Sequence, residues 1–227
     1  MQLRSSSLLG LSLSFLTLTA CGSTGGDASG LTSVDELLGW VERVYIDAEL
    51  SRQEVKTSLS GLQTIATKDF EGDPITAFQG FSDSIINSKE QAKKLRASYE
   101  RMQRSAEPVF EKWTDDLALY NNQEIRRRSQ ERLDAAKARY DAVARAVGPL
   151  LSTYDKYNQG LSDYQLFLSN DFTTSSVDLM AKEADNLVDL ANEIDNRLDS
   201  TLKVAKAYIE TAELPTGTQK AAKPPSK

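Results

Sequence analysis

Histidine is absent from all 227 residues, and cysteine occurs once, at Cys21. The first absence removes the imidazole on which serine–histidine catalysis and most transition-metal sites depend. The second rules out a disulfide within the chain, and acylation of Cys21 would remove the one thiol nucleophile. An enzyme would have to work with carboxylates, Lys, Tyr and Ser, and no motif sets a nucleophile beside a base. The expectation is a protein that is not an enzyme and takes no cofactor and no metal. A basic excess is missing too: 27 Lys and Arg stand against 33 Asp and Glu, a net charge of −6. That balance excludes broad docking on nucleic acid, which needs a basic face. Strand-type alternation and long apolar runs beyond the first twenty residues are also lacking.

What is present begins with Leu18-Thr19-Ala20-Cys21, a lipobox. Residues 1–20 carry Arg4, then an apolar stretch from Leu8 to Thr19, too short to span a bilayer at about 20 residues. They read as a lipoprotein signal peptide, cut before Cys21, which then carries the acyl chains. More than one acyl chain gives stable attachment, so the expected partner here is a membrane, held through the N-terminal lipid on Cys21. Loss of the leader takes Arg4 with it and brings the charge near −7. Gly22, where an Asp would favour inner-membrane retention, points to the outer membrane, facing the periplasm, in a host with two membranes. Residues 21–30, Cys21 followed by GSTGGDASG, are a flexible tether.

Residues 31–214 are heptads. The first predicted helix, Val34 to Lys68, opens on a Ser33–Glu36 capping box. Its seam is Val34, Leu37, Val41, Val44, Ala48, Val55, Leu62 and Ile65, with Ser51 and Ser58 at the skipped positions. EGDP then signals a turn with Pro74 at the next helix start. The second helix runs to Tyr120 through Phe81, Ile85, Leu95, Met102, Val109 and Trp113, with a kink expected at Pro108. Asn121-Asn122 makes a turn. The third extends from Gln123 to Ser169 on Leu133, Tyr140, Val143, Leu150, Tyr154, Tyr157 and Leu161, with a kink expected at Gly148-Pro149. Thr173 to Ser176 cap a fourth, carried by Met180, Leu187, Ala191, Ile194, Leu198, Ala205 and Tyr208 to Leu214. Residues 215–227 read as a disordered tail. The predicted fold is all-α: an elongated antiparallel coiled-coil bundle of three to four long helices.

Val109-Phe110-Glu111-Lys112-Trp113, Leu117 to Asn122, Arg126-Arg127-Arg128-Ser129, Arg139-Tyr140 and Tyr164 to Leu168 resemble an uncharacterised bacterial family, domain of unknown function 2959. The resemblance covers roughly Leu31 to Leu214. It implies a helical fold and an envelope location, and brings no activity, cofactor or catalytic residue.

Three features compete for a site besides lipidation at Cys21. Arg126, Arg127 and Arg128, near a helix start, suit an anion or an acidic partner, or simply pair with Glu124, Glu131, Asp115 and Asp116. Tyr154 and Tyr157, beside the expected kink, would line a pocket if that kink opened one, and otherwise form core. Asp115/Asp116 and Asp185/Asp189 lack the loop that calcium needs. The functional expectation is a lipid-anchored structural or protein-interaction module of the cell envelope with a protein partner. The alternative is a carrier or sensor of an apolar ligand held between helices. Heptads this long could also recruit a second copy of the chain.

Overall fold

The computed structural model describes residues 29–212 apart from 68 and 69. Cys21, the leader, the tether up to residue 28 and the tail 215–227 therefore lie outside the described residues. The elements are α1 (Ser29–Ile65), α2 (Pro74–Asp116), a 3-10 turn (Leu117–Leu119), α3 (Gln123–Asn170), α4 (Thr174–Glu183) and α5 (Asp185–Ala212). Among the described residues there is no strand.

The helix starts have local causes. Asp73 accepts from the Thr76 N–H at 2.9 Å, and Pro74 occupies the first turn, where its missing N–H costs nothing. Asn122 accepts from the N–H groups of Glu124 and Ile125, and Thr173 from that of Ser176. α1 starts at Ser29, so Ser33 and Glu36 stand inside the helix and not at its cap. A cap is worth about 1 kcal/mol, and nothing between Ser29 and Thr32 stops the chain from adding a further turn. α2 gives way to the 3-10 turn at Leu117, leaving Tyr120 exposed beyond it and not on the seam.

The expected last helix is divided at Ala184. Its backbone stays right-handed there and its N–H still reaches the Met180 carbonyl at 2.9 Å, so helical hydrogen bonding carries into the interruption. Opposite this region a Cβ on Gly160 would stand 2.6 Å from Leu187 Cδ2, so the glycine permits close approach of α3 and α5. Pro108 and Pro149 lie inside unbroken helices.

α1 packs on α2 and α5, and α3 packs on the same two, closing an up-down-up-down ring. The predicted seams form the core: Leu37, Val44, Phe81, Leu95, Leu150, Leu161, Ile194 and Leu198 are all buried. Cross-helix pairs fix the register. Ser33 and Pro108 border one groove, Arg96 binds Asp155 through two contacts of 2.7 and 2.9 Å, and Arg52 lies 3.3 Å from Asp195. In this register the α2–α3 hairpin outruns its neighbours. Its turn projects roughly 12 Å past Ser29 at 1.5 Å per residue, and α5 stops shorter still. The overhang is held by Phe110 against Tyr140, ring centroids 5.5 Å apart, and by Trp113 Nε1 donating to Ser129 Oγ at 3.0 Å.

Candidate functional site

The topology sorts the chain's chemistry into a basic turn, a polar interior and several lateral grooves. The basic turn holds the arginine triplet. Arg127 pairs with Glu124 and Glu131, and Arg128 with Glu124 at 2.8 Å. Hydrogen bonds from Arg127 and Arg128 hold the Glu124 carboxyl below the usual carboxylate range. Arg126 has no ion-pair partner among the described residues. Of the triplet, one guanidinium is therefore left over.

Tyr154 and Tyr157 sit in the core with no exposed surface. Neither lines either of the two grooves described below. Tyr157 donates to the Val55 carbonyl at 3.1 Å and lies 3.0 Å from Ser58 Oγ. Tyr154 lies 3.4 Å from Ser88 Oγ, and Ser88 donates to Asn158 Oδ1 at 2.7 Å. Burial raises both phenols, Tyr154 to about 12 and Tyr157 further. Half-burial takes Tyr140 to about 12 as well.

A raised phenol pKa stabilises the fold below the unfolded value of about 10, and that contribution is lost as pH climbs toward 12. Helix signal in circular dichroism should accordingly collapse between pH 10 and 12, together with a late step in phenolate absorbance. Complete ionisation of all eight tyrosines with helicity intact would contradict their placement.

These tyrosines belong to a polar seam that sequence reading missed. Asp47 is fully buried in α1; Arg43 Nη2 lies 3.1 Å from its Oδ1, and Ser98 donates to its Oδ2. Gln91 Nε2 and Ser51 Oγ both donate to the Asp47 carbonyl, at 2.9 and 2.7 Å. The cluster ties α1 to α2, and Ser58 with Tyr157 ties α1 to α3. The one clue was the pair of serines, Ser51 and Ser58, standing at seam positions. Asp47 Oδ1 has the Arg43 ion pair but no hydrogen bond, and a buried network linked in this way serves register and uniqueness of packing.

One groove, of about 480 Å³, runs between α1 and α2, where Arg101 lies 5.0 Å over the Trp40 ring. Another, of about 440 Å³, lies between α3 and the α4–α5 junction, bordered by Tyr164, Phe167, Leu179, Leu187 and Asp163. Phe167 and Leu179 are exposed, as are Leu166, Phe172 and Ile75 nearby in the fold, so this end of the bundle is apolar at its surface. Among the described residues no three Asp, Glu or Cys side chains gather as metal ligands, and no helix is long and apolar enough to cross a membrane.

A closed antiparallel ring of long helices, with a polar seam inside and exposed apolar side chains at both ends, defines an all-α helical-bundle protein. Residues 27–212 match the family described as "Protein of unknown function (DUF2959)", and the chain belongs to it. No curated protein matches the chain.

Proposed function

We propose that the protein is a lipid-anchored, non-enzymatic interaction module of the bacterial envelope, held through Cys21 and presenting the α3–α4 end of the bundle to a protein partner. The observation that carries this reading is the exposure of Phe167 and Leu179 around an apolar groove at the end opposite the start of α1. Contiguous apolar surface of this kind marks contact sites. Heptad packing makes the domain stiff, so an anchor at one end places the groove tens of ångströms from the lipid. The outer membrane, facing the periplasm, is the location that Gly22 favours.

The same groove supports the second reading, a carrier of an apolar ligand. Against it, the groove is open along one side, whereas ligand sites enclose most of their ligand. The test is in vivo photocrosslinking from position 167 in the tagged lipoprotein, beside Cys21→Ser and Leu179→Asp versions. One or two dominant protein adducts, lost in both variants, are expected. Lipid alone in the adduct would overturn the module reading and put the carrier first.

A further inference from the structure

The α2–α3 turn carries three large apolar side chains in water: Leu119 is 74% exposed, Ile125 51% and Tyr120 39%. None of them lines either groove described above. They crown the overhanging hairpin, which among the described residues protrudes furthest at that end of the bundle. A convex apolar tip cannot enclose a peptide or small ligand, but it can enter a soft, deformable phase. Arg126, free of any ion pair among the described residues, stands on the turn's first helical residues beside Ile125.

The start of α1 lies at this same end. Cys21 precedes Ser29 by eight residue steps, which span at most about 28 Å fully extended. The hairpin covers roughly 12 Å of that reach from its own side. An acylated Cys21 would therefore hold Leu119, Tyr120 and Ile125 within reach of the lipid surface.

We infer that the α2–α3 turn is a second membrane contact, in which Leu119, Tyr120 and Ile125 enter the bilayer interface and Arg126 meets lipid phosphate. The inference rests on the anchoring reading above. Leu and Tyr are suited to this depth: Leu supplies apolar area, while Tyr keeps its hydroxyl at headgroup level. Arg126 would contribute attraction to an anionic surface. Two contacts would fix the rod's tilt, where an acyl chain on a flexible tether alone would let it swing.

Cys21 is the sole cysteine and is consumed by acylation, so an introduced cysteine can be labelled alone. The experiment compares an NBD fluorophore on Leu119→Cys with one on Leu166→Cys, both in the lipidated full chain. The vesicles are phosphatidylethanolamine and phosphatidylglycerol carrying a nitroxide-labelled lipid. Blue-shifted emission at 119, quenched several-fold more than at 166, is expected. Equal, unshifted emission at both sites in protein that still floats with the vesicles would overturn the inference and leave the anchor standing. Failure to float would overturn the anchor and the inference with it. Quenching at 166 alone would reverse the orientation. A blue shift at 119 without vesicles, growing with protein concentration, would assign the tip to a second copy of the chain.

Discussion

Arg43→Ala should cost the bundle more stability than Asp47→Ala, although the two residues form one ion pair. The reason is their unequal burial: the Asp47 side chain has no exposed surface, while that of Arg43 is 49% exposed. Removing Arg43 leaves a carboxylate inside the bundle with only Ser98 donating to it, and stranding a buried charge costs about 3–5 kcal/mol. Removing Asp47 frees a guanidinium that is already half in water. What is then lost is the Ser98 hydrogen bond and a small volume, about 1–3 kcal/mol. The Asp47 carbonyl keeps its bonds from Gln91 and Ser51 in either case. Urea denaturation of the two variants and of the double variant checks this. The double variant should be more stable than Arg43→Ala, because it removes the stranded charge. An Arg43→Ala chain as stable as the parent would mean that water reaches Asp47.

The sequence disclosed the helices better than it disclosed how they slide against one another. Heptad spacing selected Leu37, Val41, Leu95, Tyr154, Leu198 and Ala205, all buried, because a residue's face on a helix is set by local periodicity. The turns at Pro74 and Asn122 were equally local. Asp47 was invisible for the opposite reason. Its partner Ser98 lies 51 positions away, and no local pattern distinguishes a carboxylate that will meet a serine from one that will face water. The arginine triplet was half legible: its acids at three and four residues' distance predicted the pairs of Arg127 and Arg128, whereas the free state of Arg126 depends on the turn. The hairpin overhang required cross-helix register, which comes from contacts such as Arg101 over Trp40. The break at Ala184 has no signal in the heptads, which run through it in phase.

Tyr157→Ala should destabilise the protein by about 3–5 kcal/mol, and Tyr157→Phe by about 1 kcal/mol. The large figure follows from a fully buried ring in the interior of a close-packed bundle. Truncation there forfeits the transfer energy of the ring and leaves a void that helices tied by cross-links such as Arg96–Asp155 cannot easily close. The small figure follows from the hydroxyl's partners. Val55 O is a helical carbonyl that already accepts within its own helix, and Ser58 Oγ retains the Glu54 carbonyl at 2.8 Å. Losing the phenolic oxygen thus leaves no donor stranded. The pair of variants also separates core from pocket, since a tyrosine lining a ligand cavity would lose little stability as Ala and would alter ligand retention instead. Thermal and chemical denaturation of both give the answer. A ratio of several-fold between the two losses fits a core residue. Near-equal losses would mean that the hydroxyl network, and not the ring, holds α3 against α1.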